Sequence, residues 1–152
     1  MRPRVYTDTS VLGGCEDQEF REPSRRLLEA FECGELTLVL SELTIQELET
    51  APKGVRMVIE RVPAAHIETL ALSREAEELA GAYMEDGAIG AGMRADALHI
   101  ALATVARVDV LVSWNFKHIV NLKRIHAYNS VNLKSGYPLL EIRNPREVPG
   151  DE

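Results

Sequence analysis

The chain has 152 residues, of which 45% are hydrophobic and 5% aromatic, and this suits one soluble domain with its own core. A net charge of −7 argues against constitutive, non-specific binding to nucleic acid. No apolar run reaches the roughly 18 residues of a membrane span, so we expect a cytoplasmic protein with no membrane segment. Cys15 and Cys33 lack C-x-x-C spacing and are expected to be free thiols.

Strands and helices alternate along the chain. In order, the predicted elements are a strand at 4–7, a helix at 23–33, a strand at 36–40, a helix at 41–50, a short helix at 55–61, a strand at 66–70, a helix at 73–85, a glycine-rich loop at 87–92, a helix at 95–106, a strand at 110–113, one or two short helices within 116–131, and a last strand at 138–142. Ser41 and Ser73 are predicted N-caps, and Gly34 a C-cap. This alternation predicts a three-layer α/β domain with a mostly parallel sheet over 1–143, followed by a flexible tail at 144–152.

The stretch YTDTS places an acidic residue directly after the first predicted strand. Asp8 is followed there by two hydroxyl side chains, Thr9 and Ser10. One interpretation is structural, because an Asp at this point caps a turn or the next helix. The other is functional, because open α/β sheets bind their ligands at the carboxyl ends of their strands. The stretch alone leaves both interpretations open.

Two further carboxylates interrupt the apolar pattern of their helices. In SELTIQELET, Glu47 falls on the face of Leu43 and Ala51, towards the core side of its helix. In RADALHIALA, Asp96 lies in the first turn of a helix that is apolar all round, and His99 shares its face. The structural alternatives are a Glu47 that reaches water, an Asp96 that only complements the helix dipole and a hydrogen-bonded core His99. In the functional interpretation His99 orients Asp96.

A second buried strand, in VLVSWNFKHI, also ends in polar residues, among them Ser113 and Asn115. The two strand ends and the two flanking helices are expected to bring Asp8, Glu47 and Asp96 to one cleft. Three carboxylates in a small pocket raise one another's pKa unless a cation lies among them. Because ligands that are all oxygen favour Mg²⁺ or Mn²⁺, we expect such an ion there.

These four motifs, in this order, resemble those of the PIN-domain nucleases, and the resemblance covers the chain from Val5 to about Ile142. It implies a three-layer α/β/α PIN-like domain that hydrolyses RNA with Mg²⁺ or Mn²⁺. The catalytic and metal-ligating residues that it implies are Asp8, Glu47, Asp96 and Asn115. Small members of the family are often the toxin (VapC-like) subunits of VapBC-type toxin–antitoxin pairs. The resemblance therefore implies an RNA substrate, a small antitoxin partner and a homodimer.

Asn115 stands where many members of the family have a fourth Asp, which leaves a second function open. That alternative is a non-catalytic or weakly catalytic PIN fold that binds RNA or protein. A G-x-G-x-x-A match at 90–95 follows a helix rather than the first strand, so it does not favour a dinucleotide site.

Polar residues beside the motifs are candidates for contact with the substrate. These candidates are Thr9, Ser10, Ser113, Lys117 and His118. Between positions 116 and 143 the basic residues are Lys117, Lys123, Arg124, Lys134 and Arg143, and the only acidic residue is Glu141. This local basic surface on an acidic chain fits an enzyme that meets phosphate on one face, and an ordinary solvated face is the alternative.

Overall fold

A computed structural model describes residues 2–148 and shows one five-stranded parallel sheet between two layers of helices. The strands are β1 (Arg4–Thr7), β2 (Thr37–Ser41), β3 (Ile67–Leu70), β4 (Val110–Val112) and β5 (Ile142–Arg143), in the spatial order β3-β2-β1-β4-β5. The helices are α1 (Thr9–Gly14), α2 (Arg21–Glu32), α3 (Glu42–Leu48), α4 (Lys53–Arg56), α5 (Arg74–Glu85), α6 (Arg94–Val105) and α7 (Leu122–Lys134). The predicted three-layer α/β/α fold is confirmed.

Side chains that alternate along each strand supply the two halves of the core, because successive residues of a strand point to opposite faces. Tyr6, Val39 and Leu111 pack with the layer of α5, α6 and α7. Val5 and Leu38 pack with the layer of α1 to α4. Both faces are therefore covered, which explains why the strands are continuous apolar runs in the sequence.

The carboxyl end of β1 is the point where the connections of the sheet diverge. From β1 the chain passes to β2 on one side, whereas β4 pairs with β1 on the other. Pairing of Thr7 with Val112 places Asp8 beside Ser113, and the Asp8 backbone N–H donates to the Val112 carbonyl at 3.3 Å. Parallel sheets form their ligand clefts at such divergence points. The topology thus brings the two polar strand ends to one place.

Local sequence signals fix most of the helix ends. The Ser41 hydroxyl accepts from the backbone N–H of Thr44 at 3.2 Å, and Ser73 caps α5 in the same way at 3.1 Å. Gly34 has φ +84°, the left-handed conformation that ends α2. Helix α3 ends at Leu48, earlier than the predicted Thr50.

Two predicted elements after β4 differ from the structure. Instead of one or two short helices within 116–131, the chain forms a single longer helix, α7, which Asn121 caps and which extends to position 134. The last strand, predicted at 138–142, is only the two-residue β5. Pro138 has no N–H to donate and Leu139 is 64% exposed, so this part of the run does not join the sheet.

The described part of the predicted tail begins with a capped turn. Asn144 caps a short 3-10 turn at Pro145–Glu147, Pro145 is buried, and the turn packs against α2. Residues 149–152 lie outside the described residues, so the domain boundary at 143 remains a prediction.

Both cysteines of the chain are free, Cys15 in the core and Cys33 at the surface. Within residues 2–148, no helix has the length and apolar character needed to cross a bilayer.

Candidate active site

Asp8 lies directly after β1 and is also the N-cap of α1, so the cap and the strand-end position coincide. Its side chain accepts from the Ser10 backbone N–H at 3.1 Å, the Ser10 hydroxyl at 2.6 Å and the Ser113 hydroxyl at 2.8 Å. The residue is 5% exposed. Burial raises the pKa of Asp8, and the field of His99 and the two hydroxyls reduce that rise without cancelling it. Its ionised form is therefore held in place and favours a positive partner.

Glu47, on α3, reaches the same edge of the sheet from the end of β2. Its Oε1 accepts from the Thr9 hydroxyl and from His99 Nε2, the latter at 3.0 Å. Burial tends to raise the pKa of Glu47, but the hydrogen bonds from His99 and Thr9 hold it below its usual value. Glu47 is therefore ionised at neutral pH.

A buried chain of hydrogen bonds connects Glu47 to the centre of the sheet. His99 Nδ1 lies 2.7 Å from the Tyr6 hydroxyl, which lies 2.7 Å from Ser41 Oγ. Tyr6 and Ser41 are fully buried and His99 is 3% exposed. Because an ionised carboxylate only accepts, we infer that His99 Nε2 carries a proton and donates it to the hydrogen bond with Glu47. This chain fixes the imidazole and, through it, the carboxylate of Glu47.

Asp96 lies in the first turn of α6, on the other side of the site from Glu47, and is half-buried. It accepts one hydrogen bond, from Asn115 Nδ2 at 3.2 Å. The Asn115 oxygen accepts from the backbone N–H of His118 at 2.9 Å, and this contact orients the amide with its nitrogen towards Asp96. Burial raises the pKa of Asp96, and nearby imidazoles and the Asn115 hydrogen bond only partly oppose it.

The model of the PIN domain family matches residues 5–117 of the chain, a range that includes all four predicted ligand positions. The chain belongs to the PIN domain family. None of the curated proteins matches it.

Several solved structures share the fold of this PIN domain. FitAcB from Neisseria gonorrhoeae has a TM-score of 0.59 at 15% identity, with 95% of this chain and 99% of that chain covered. VapBC2 from Rickettsia felis, bound to a DNA fragment from its promoter, has a TM-score of 0.57 at 16% identity, with 93% of this chain and 98% of that chain covered. VapC20 from Mycobacterium tuberculosis, named a sarcin–ricin loop cleaving toxin, has a TM-score of 0.56 at 11% identity, with 90% of this chain and 98% of that chain covered.

The candidate substrate contacts of the PIN domain divide into two groups. The hydroxyls of Thr9, Ser10 and Ser113 all donate to active-site carboxylates, so they orient those side chains. Lys117 is exposed. His118 is half-buried, and its Nδ1 is the only buried side-chain nitrogen or oxygen without a hydrogen-bond partner among residues 2–148. Contact of any of the five with substrate remains a prediction.

The partner of His99 differs from the expected one, and Tyr6 was not predicted as a site residue. His99 hydrogen-bonds to Glu47 and Tyr6, whereas the expected partner was Asp96. The available signal was the hydroxyl of Tyr6 within a predicted buried strand. That signal points to His99 only once the order of strands and helices is known.

The oxygen ligands that the three active-site carboxylates offer are of the kind that a hard divalent cation prefers. Asp8, Glu47 and Asp96 offer only oxygen, and the charge of Asp96 adds to the rise in the pKa of Asp8. Within residues 2–148, no three His, Cys, Asp or Glu side chains converge closely enough to hold an ion between them. Binding therefore requires the carboxylates to draw together, and Asp96, with one hydrogen bond, is the least restrained of them.

Proposed function

We propose that this PIN domain is an endoribonuclease that hydrolyses RNA phosphodiester bonds with Mg²⁺ or Mn²⁺. The observation that carries the proposal is the approach of Asp8, Glu47 and Asp96, from three different elements, to one edge of the sheet. Burial raises the pKa of Asp8 and of Asp96, so their ionised forms favour a cation and, through it, a phosphate. Membership in the PIN domain family supports this assignment.

The proposed ligands and catalytic residues are Asp8, Glu47, Asp96 and Asn115. When bound, the metal polarises the phosphate and lowers the pKa of a water molecule. The chain itself orients the carboxylates through buried and half-buried donors, which reduces the reorganisation needed at the moment of reaction. Lys117, which is exposed and two positions after Asn115, is the proposed phosphate contact on the side of β4.

The proposed biological role is the toxin of a type II toxin–antitoxin pair in the cytoplasm. Support comes from the structure of VapC20, which is named a toxin and which this chain covers over almost its whole length. A small antitoxin protein is the proposed partner and a homodimer the proposed assembly. The two free cysteines are consistent with a reducing compartment.

Asn115 favours a second candidate function, which is binding of RNA or protein with weak or no catalysis. Its oxygen already accepts from His118, and it brings no negative charge to the site. The first candidate requires the three carboxylates to hold the metal without a fourth charge.

The test is cleavage of a mixed RNA pool by the wild type with Mn²⁺ and with EDTA. We expect cleavage only with Mn²⁺ and a fall of about a thousandfold in Asp8→Asn and Asp96→Asn, which corresponds to about 4 kcal/mol of transition-state stabilisation. Asp86→Asn is the matched control, because Asp86 lies on the surface and contacts Lys134 at 3.1 Å. RNA binding without cleavage in Mn²⁺ would instead support the second candidate.

A further inference from the structure

Three aromatic rings and one guanidinium lie together beside the active site, and we call Phe20, Trp114, Phe116 and Arg146 the aromatic platform. Phe20 stacks on Trp114 with ring centroids 4.2 Å and planes 16° apart, and Phe116 meets Trp114 edge-on at 6.1 Å. The Arg146 guanidinium carbon lies 4.9 Å from the centroid of Trp114. Trp114 Nε1 donates to Ser24 Oγ at 2.8 Å, which fixes the central ring.

The aromatic platform is joined to the residues that hold the active-site carboxylates. The Trp114 backbone N–H donates at 2.9 Å to the Ser10 hydroxyl, which itself donates to a carboxylate. Phe116 directly follows Asn115, the residue that contacts Asp96. Because neighbouring Cα atoms are about 3.8 Å apart, Phe116 lies close to the active-site side chains.

Exposure within the aromatic platform is uneven. Trp114 is 6% exposed and packs with the core, whereas Phe116 is 44% exposed, which leaves much of its apolar ring in water. The Arg146 guanidinium lies over Trp114, the ring that Phe116 contacts, and Lys117 directly follows Phe116 in the sequence. Both residues are exposed. Neither forms an ion pair within residues 2–148.

An exposed ring, with one cation over the neighbouring ring and another on the next residue of the chain, matches a polyanion that carries flat bases. Stacking on an aromatic ring accepts any base, because every base has a π face, and cations beside the ring attract the backbone phosphates. On a chain whose net charge is −7, exposed cations at the aromatic platform are what a negatively charged ligand would require.

We propose that the aromatic platform binds one unpaired nucleobase of the RNA substrate, next to the phosphate that is cleaved. This inference rests on the proposed nuclease function and adds a base subsite to it. The base stacks on the exposed face of Phe116, while Arg146 and Lys117 contact the phosphates beside it. A base inside a duplex has both faces covered by its neighbours, so only an unpaired base can stack on Phe116.

Trp114 provides a direct measurement, because it is the only tryptophan of the chain. We would follow its emission while the protein in EDTA, where the metal-dependent cleavage is suppressed, is titrated with a short single-stranded RNA. A second titration uses an oligomer of the same length in which every base is replaced by an abasic sugar. We expect a saturable change in emission, with tighter binding of the oligomer that carries bases.

Substitutions at Phe116 separate stacking from charge. Phe116→Leu keeps apolar bulk without a π face, and we expect about tenfold weaker binding of the RNA, equivalent to about 1.4 kcal/mol, with unchanged binding of the abasic oligomer. Phe116→Tyr is expected to retain wild-type affinity. Leu133→Ala is the matched control, because Leu133 is an apolar residue at the far end of α7 and is 61% exposed.

Three results would overturn the base subsite. They are equal affinity of the wild type for both oligomers, equal RNA affinity of Phe116→Leu and wild type, or Trp114 emission that depends on protein concentration without RNA, which would mean that a second copy covers Phe116. All three leave the nuclease proposal untouched, since cleavage is measured separately. Absence of cleavage together with a clear preference for bases would overturn the nuclease proposal alone.

Discussion

The carboxylates on the two sides of the active site differ in how firmly the chain holds them. On the sheet side, Asp8 accepts three hydrogen bonds and Glu47 accepts two, from donors that belong to the strand ends and the core. On the helix side, Asp96 accepts one, from Asn115. The sheet side is therefore oriented before any ion binds, whereas Asp96 retains freedom to move. We infer that the sheet side sets where the ion lies and that Asp96 closes on it.

The largest expected effect is stabilisation by the metal. If Asp96 closes on an ion held by Asp8 and Glu47, Mn²⁺ at a hundred times its Kd adds about 2.7 kcal/mol to the free energy of unfolding. Thermal unfolding along a Mn²⁺ titration, with EDTA as the baseline, measures this. Asp8→Asn is expected to abolish the shift, whereas Asp96→Asn moves its midpoint to higher Mn²⁺. An unchanged Tm of the wild type across the millimolar range contradicts the metal site.

The second effect tests the sheet side through His99. In His99→Asn the side chain reaches towards Tyr6 but not Glu47, whereas in His99→Gln the amide nitrogen takes the place of Nε2. We expect His99→Asn to lower kcat by about ten- to a hundredfold with KM nearly unchanged, and His99→Gln to retain most of the activity.

Initial rates at saturating Mn²⁺ measure this difference, and the Tm of each variant reports damage to the core. Both variants replace the same buried imidazole, so they should lose similar stability. Equal losses of kcat in the two would show that His99 serves packing alone.

The third effect tests the helix side. Asn115→Asp places a carboxylate where an amide now lies 3.2 Å from Asp96, while the N–H of His118 keeps its acceptor. We expect about tenfold tighter Mn²⁺ binding without RNA, or about 1.4 kcal/mol, and a lower Tm in EDTA because the added charge repels Asp96. Calorimetry of Mn²⁺ binding measures it. The same affinity in both proteins would show that position 115 does not face the ion.

Much of the fold could be predicted from sequence because its signals are local. The Ser41 and Ser73 caps and the turn at Gly34 are each encoded within a few residues. The sequence predicted one or two short helices within 116–131 rather than the single longer α7, because the apolar spacing of α7 is weak, although Asn121 caps it. A cap without a clear apolar stripe is a poor indicator of helix length.

Within the candidate site, the carboxylates could be predicted and their partners could not. Glu47 and Asp96 stand out as acids in apolar surroundings, a property of their own helices. The link from Tyr6 to His99 joins residues 93 positions apart, and it depends on the order of strands. The contact of Arg146 with Trp114 likewise depends on where the end of the chain packs.

The smallest expected effect is a change in stability with pH that separates Asp8 from Asp96. Burial raises the pKa of Asp8 in the folded protein, so the folded state binds its proton more tightly than the unfolded state does. Stability from this group is therefore present at low pH and decreases as pH rises from the ordinary Asp range through the folded pKa.

Asp8→Asn keeps a capping side chain and has no charge to bury, so we expect a Tm about 2 °C above the wild type in EDTA at pH 7. That advantage should shrink as pH falls and the wild-type carboxyl takes up its proton.

The other carboxylates serve as controls for this comparison. Glu47, whose pKa is lowered, shifts stability in the opposite direction but equally in both proteins, so its effect cancels in the difference. Asp96→Asn should gain less than Asp8→Asn, because Asp96 is half-exposed and water screens its charge. An advantage of Asp8→Asn that stays constant from pH 4 to pH 8 would show that the buried charge at β1 costs the fold nothing.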